Sequence, residues 1–385
     1  MKKGLFALAL GGLSIGMTEF TMMGILPDIA KDINQSIPET AHLISLYALG
    51  VFVGAPTLVL ITSKHVPKKV LIFLMLLFFL FNGIFSIAPN AWSMQISRFL
   101  AGLPHGAFFG VGSVVAAKMA PKGKEAQYIS IMFTGMTIAN LVGVPLGTYI
   151  GHNFSWRITY SIICFLGLIT ILGIYLWLPN IPADKTEKIA HQLSYFKRPE
   201  AWLLILLISI GTGGLFAWIS YIAPLVTEVS GLEAGKVPFI MILIGFGMFF
   251  GNLLGGKLAD SISPTKAAMT CFGSMAICLV LVYLVSTISW MAYPMAFLTG
   301  MISFTIGAPI QMMLIKTAHG SETLAAAGGQ ASFNMGNTLG AFLGGLPITM
   351  GYAYNTPSLV GCAMASLGVL ITFIFYKTIV LKKYR

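Results

Sequence analysis

Three ionisable side chains sit where charge is expensive. Arg98 and His105 lie in an apolar run from about Trp92 to Lys118, and Glu19 lies in another from about Gly4 to Leu26. Arg98 and His105 are seven residues apart, almost two helical turns, so they share one face. Charge inside hydrocarbon turns to a partner or to water-filled space. A buried carboxylate near a guanidinium can handle protons. Burial favours the neutral acid and a neighbouring cation favours the carboxylate, so movement between them shifts the balance. Arginine keeps its charge, which makes Glu19 the candidate proton carrier and Arg98 its modulator. Counted along their runs, both lie roughly 10 Å from the same end at 1.5 Å per residue. A static ion pair pinning two helices is the alternative.

The other intramembrane polar and aromatic groups suit a solute cavity. They are His105, Asn140, Phe216, Trp218, Tyr221, Gln311, Gln330, Asn334 and Asn337. Gln330, Asn334 and Asn337 follow i, i+4, i+7 spacing and line one helical face. Interhelical hydrogen bonding is the alternative use of each. An enzyme would need a nucleophile–base pair, a metal cluster or paired carboxylates, and no HExxH, GxSxG or Walker sequence occurs. No catalytic residue, metal ligand or cofactor is therefore expected.

The elements that position these groups are read from composition. Of 385 residues, 57% are hydrophobic and 9% charged, and the mean hydropathy is +0.86. Soluble domains carry about 25% charged residues. The chain is thus expected to be an all-α membrane protein with twelve transmembrane helices. The spans fall near 4–26, 40–62, 70–89, 92–117, 127–151, 158–178, 201–227, 237–256, 267–286, 290–315, 323–350 and 357–376. The third span is almost uniformly Leu, Phe and Ile, which suggests lipid exposure. An acidic loop with Asp28, Asp32 and Glu39 follows the first span.

The net charge of +11 follows topology. Nineteen of the 23 basic residues fall on one face, which the positive-inside rule makes cytoplasmic with both termini. No nucleic-acid partner is implied. Cys164, Cys271, Cys278 and Cys362 all fall within spans and form no CxxC pair, so they read as packing residues. The Met1-Lys2-Lys3 start imitates a secretory signal, yet the apolar run continues past Glu19 without a small-x-small site, so a retained first helix is expected.

The spans repeat. At an offset of 197, Pro27 falls on Pro224, Gly50 on Gly247, Gly54 on Gly251, Asn140 on Asn337, Gly143 on Gly340 and Gly147 on Gly344. Glu19 falls on Phe216, and Arg98 falls near Ala296, so intramembrane charge belongs to the first half alone. The expected division is a six-helix half over 1–178, a cytoplasmic linker over 179–200 and a second half over 201–385. Parallel repeats of this kind place a solute site between halves near the midplane.

Several stretches together carry a family likeness. They are Met17-Thr-Glu-Phe20 with Gly24-Ile-Leu-Pro27, Tyr47 to Pro56, Gly102 to Gly112, Gly135 to Asn140, Phe154-Ser-Trp-Arg157, Phe216 to Tyr221 and Ala326 to Asn334. The chain resembles the major facilitator superfamily, and within it the twelve-helix drug:proton antiporters, especially the arabinose-inducible sugar and drug efflux type. That resemblance implies two six-helix halves in the major facilitator arrangement and proton-driven export by alternating access. Arg98 matches the fourth-helix arginine associated with proton coupling. The run from Gly135 to Gly151 resembles the antiporter motif, with Gly143-Val-Pro145 where the family has adjacent Gly-Pro. Gly256 to Asp260 keeps part of the loop signature, and Ser63 stands where the first-half aspartate would be. The resemblance thereby implies conformational gating at Gly143, Pro145, Gly147 and Asp260.

Export of a sugar or amphiphilic drug by a monomer in a bacterial inner membrane is the leading expectation, with protons and the lipid bilayer as further partners. Proton-coupled symport or facilitated uptake is the alternative, and an intramembrane enzyme the remote one.

Overall fold

A computed structural model describes residues 2–121, 125–182, 194–318 and 322–381. The first six traversals are α1 (Lys2–Gly24), α2 (Ile37–Thr62), α3 (Pro67–Ile87), α4 (Ala91–Met119), α5 (Glu125–Ile138, then Val144–Ile150) and α6 (Trp156–Trp177). The second six are α7 (Pro199–Gly211, then Gly213–Ile219), α8 (Val237–Ser261), α9 (Pro264–Val285), α10 (Ala292–Thr305, then Gly307–Ala318), α11 (Glu322–Thr349) and α12 (Pro357–Phe375). Among the described residues, ten segments are long and apolar enough to cross a membrane. One of them, Ile131–Trp177, holds two traversals, and α11 is absent from the ten because its glycines and amides dilute its apolarity. The two additions restore twelve.

Local chemistry sets the helix starts. Ser36 with Glu39 and Asn90 with Ser93 close capping boxes on α2 and α4, satisfying backbone N–H groups that have no helical partner. Pro67 and Pro264 open α3 and α9 at repeat-related positions, where a missing N–H costs nothing. An even number of traversals leaves both chain ends on one side, the termini face. The opposite side is the far face.

Glycines let helix backbones touch, and they prove the repeat in space. A Cβ on Gly50 or Gly54 of α2 would strike the Phe99 or Leu103 carbonyl of α4. In the second half, Gly247 and Gly251 of α8 meet the Phe297 and Met301 carbonyls of α10 in the same way. Gly102 faces the Tyr47 carbonyl as Gly300 faces that of Ile244. These contacts place Ala296 at the counterpart of Arg98 and Ser303 at that of His105.

Small cavities of about 20 Å³ lie at both counterparts. One adjoins Ala296, Val282 and Trp218, and the other adjoins Ser303, Cys271 and Phe333. The second half has lost the large polar side chains without fully closing the space. Leu74 fills the first-half position matching Cys271 and is fully buried there. We therefore expect Cys271→Leu to stabilise the protein by about 0.5–1 kcal/mol. Thermal unfolding in detergent measures it, and a lowered midpoint would show the space to be smaller than the geometry indicates.

Two expectations need correction. The acidic stretch after α1 is not all loop, because Leu26–Asp32 forms a short helix. The second correction concerns α3, where only one face is exposed: Leu71, Leu74, Phe78, Asn82 and Phe85 are buried, while Phe73, Leu76, Leu80 and Ile84 face outward. Within α5, a π turn over Ala139–Gly143 precedes Pro145. Proline has no N–H to return to the preceding turn, which widens there. The central part of the expected linker, 183–193, and the side chain of Asp260 lie outside the described residues.

Candidate functional site

Arg98 is wholly buried, and among the described residues no carboxylate pairs with it. Its Nη1 donates to the Thr18 carbonyl at 3.2 Å and to Thr18 Oγ1 at 3.1 Å, and its Nε to the Leu43 carbonyl at 3.4 Å. The guanidinium carbon lies 4.2 Å from the Tyr47 ring centre, 5.5 Å from that of Phe85 and 5.6 Å from that of Tyr160. Carbonyl dipoles and aromatic faces thus offset a charge that has left water. Thr18 is held in turn: its Oγ1 donates to Asn82 Oδ1 at 2.5 Å, and Tyr160 Oη donates to its carbonyl at 3.3 Å. Arg98 Nη2 keeps no protein partner.

Glu19, next to Thr18 on α1, is buried at 2% exposure. Arg98 bonds the preceding residue, Thr18, and among the described residues no ion pair joins it to Glu19. The direct partner of Glu19 comes from the other half: Asn337 Nδ2 of α11 donates to Glu19 Oε1 at 3.3 Å. Beside this bond, Ser45 Oγ of α2 donates to the Thr338 carbonyl at 3.3 Å, and Thr338 Oγ1 to the Ser45 carbonyl at 3.1 Å. Further toward the far face, His42 stacks on Phe342 with ring centres 6.2 Å apart. Deeper in the bundle, the π turn of α5 meets α8, where a Cβ on Gly245 would strike the Asn140 carbonyl.

The remaining expected residues divide. His105 is buried, 3.1 Å from Tyr47 Oη through Nδ1, with Nε2 free of protein partners. Asn140 Nδ2, Asn334 Oδ1 and Asn337 Oδ1 are likewise buried and unpartnered, the pattern left where a solute or water completes the bonding. Asn334 Nδ2 donates to the Gln330 carbonyl at 3.0 Å, and the Gln330 side chain is half-buried. Phe216 packs edge-on to Phe333 at 5.0 Å. Tyr221 donates to the Ala341 carbonyl at 2.8 Å within its own half. Trp218 lines the small cavity beside Ala296, its indole N–H buried without a protein partner. Gln311 is exposed on the second segment of α10 and is not brought to this cluster. Gly143 and Gly147 pack against Met17 and Thr21 of α1, and Pro145 opens the segment after the π turn.

Sequence reasoning passed over Thr18, Asn82 and Tyr160. Asn82 carried a signal, being a lone amide in a Leu- and Phe-rich run. Near the far face, Arg157 Nη2 and Trp156 Nε1 both donate to Asp32 Oδ2 at 3.1 Å, and His152 Nδ1 lies 3.1 Å from Asp28 Oδ1. Burial pushes the Asp28 carboxyl above its ordinary range, and the contact with His152 acts the other way. These contacts tie the short helix after α1 to the start of α6.

Comparison with known proteins bears on this arrangement. The profile described as Major Facilitator Superfamily matches residues 8–345. A protein named "Putative transporter AraJ" from Escherichia coli (strain K12) is 37% identical over 376 residues, covering 98% of this chain and 95% of that one. A protein named "Probable sugar efflux transporter" from Helicobacter acinonychis (strain Sheeba) is 27% identical over 372 residues, covering 96% and 93%. Among solved structures, a D-xylose-proton symporter superposes with a TM-score of 0.77 at 15% identity, covering 97% of each chain.

Proposed function

The chain belongs to the Major Facilitator Superfamily, and on that premise we propose that it exports a small organic solute, a sugar or an amphiphilic drug, in exchange for protons by alternating access. The fold and family establish a multi-pass membrane carrier of small solutes. One observation carries the antiport reading: the buried Glu19 follows Thr18, which accepts from Arg98, and is bonded to Asn337 of the other half. A carboxylate so placed changes surroundings whenever the halves separate, and its hold on a proton changes with them. The name of the Helicobacter relative favours export. The unpartnered amides Asn140, Asn334 and Asn337, with His105, suit the hydroxyl or amide groups of a polar solute.

In this reading the chain divides into halves over 1–178 and 201–385 joined by a linker over 179–200. It also places the termini face in the cytoplasm of a bacterial inner membrane, where 19 of the 23 basic residues would gather.

Inverted vesicles loaded with this protein test it. An outward-to-inward pH drop should drive accumulation of one member of a panel of sugars, nucleosides and antibiotics, and a protonophore should abolish it. Accumulation only in right-side-out vesicles would make the protein an uptake carrier.

A further inference from the structure

We propose that Asn337 is the positioning residue through which the protonation of Glu19 controls contact between the two halves. This rests on the antiport reading above and names the group that transmits it. Asn337 and Thr338 are consecutive on α11, and both cross to the first half. Thr338 exchanges hydrogen bonds with the Ser45 backbone and side chain, groups that do not titrate. Asn337 donates to a carboxylate, which does.

A hydrogen bond to an ionised acceptor is roughly twice as strong as one to a neutral acceptor. Ionised Glu19 therefore favours the arrangement in which α1 and α11 touch, and protonation weakens that contact. The converse follows by linkage. A donor on the carboxylate favours its ionised form, so Glu19 holds a proton less readily in the touching state than after separation.

The contacts between halves run from the Asn140 carbonyl against Gly245, through Glu19 with Asn337 and Ser45 with Thr338, to His42 with Phe342 toward the far face. With the termini face cytoplasmic, this is the carrier closed to the outside. An empty, ionised carrier stays latched there. A solute polar enough to compete for Asn337 or Glu19 releases it. Once the far face opens, Glu19 has lost its donor and takes a proton from outside, and the neutral carrier returns. Re-engagement of Asn337 then favours release of that proton inward. One amide couples the two events.

Other groups around Glu19 do not duplicate this role. Arg98 of α4 and Tyr47 of α2 are its ionisable neighbours, Tyr160 of α6 bonds the adjacent Thr18 carbonyl, and all three belong to the same half as Glu19. The polar side chain of α5 at this level is the neutral Asn140, and residues 222–224 and 237–256 carry no ionisable group. Asn337 alone among the described partners of Glu19 comes from the moving half.

The test reads separation at the far face in the reconstituted, substrate-free carrier. Spin labels are attached at Lys31→Cys and Tyr352→Cys, both exposed, with the four native cysteines replaced by serine. The closed fraction should rise with pH in the otherwise unchanged protein. Asn337→Leu should lower the closed-to-open ratio at high pH about fivefold and flatten the profile. Asn337→Gln keeps a donor and should restore part of both. Should Asn337→Leu fail to fold, Asn337→Ser carries the same expectation, because it withdraws the donor by more than an ångström. A wild-type profile in Asn337→Leu, with a flat one in Glu19→Gln, would overturn the role of Asn337 and leave the antiport reading standing. A flat profile in the unchanged protein, with no pH-driven accumulation in vesicles, would overturn the antiport reading and this inference with it.

Discussion

Glu19→Gln should yield a folded protein that still binds its solute but no longer accumulates it against a gradient. A difference of one pH unit supplies about 1.4 kcal/mol per proton, enough for about tenfold accumulation at one proton per solute. In the variant the ratio should fall to unity, with only equilibration remaining. Glutamine keeps the size of the side chain and an oxygen that Asn337 Nδ2 can still reach, so packing changes little. What it removes is the exchangeable proton. Counterflow at equal pH on both sides separates binding and movement from coupling, and Glu19→Gln should retain it. Uphill export at the wild-type rate and pH profile would make the carboxylate structural and move the coupling elsewhere.

Gly102→Ala should cost more than an added methyl at any other glycine between Gly102 and Gly112 of α4. The added Cβ would strike the Tyr47 carbonyl and lie 3.1 Å from the Val51 nitrogen, and both are backbone atoms that cannot rotate away. Helices α2 and α4 would have to part. Overpacking of this kind costs about 1–3 kcal/mol. The same shift would displace Tyr47, which lies under Arg98 and touches His105. Gly110→Ala is the control eight residues on. Its Cβ would meet only Val59 Cγ2, at an ordinary 3.6 Å, and alanine gains about 0.5–1 kcal/mol in helix propensity. Folded yield and unfolding midpoint in detergent should therefore fall for the first and hold or rise for the second. Equal losses in both would mean that α2 and α4 are not in backbone contact at Gly102.

The two halves share a backbone plan and differ in chemistry. Where the first half holds Arg98 against Thr18, Tyr47 and Phe85, the second has Ala296, Leu215, Ile244 and Val282. The buried charged groups thus sit in the first half, and the second contributes the amide that touches Glu19. An asymmetric pair of this kind lets one motion change the surroundings of a single carboxylate.

Residue order alone established the membrane class, the twelve helices, the repeat and the three residues whose charge or titration is costly. Each is a one-dimensional property: apolar length, glycine register and an ionisable residue inside an apolar run can all be counted along the chain. It also placed Ala296 near the counterpart of Arg98, because the offset is nearly constant. Which groups touch was decided in three dimensions. Thr18 and aromatic faces surround the arginine, and Asn337 bonds the glutamate. Thr18 and Arg98 are 80 residues apart, and Glu19 and Asn337 are 318 apart. No periodicity connects positions at such distances. Their meeting depends on how far each helix is rotated about its axis and where glycines let backbones close, and the packed bundle alone sets both.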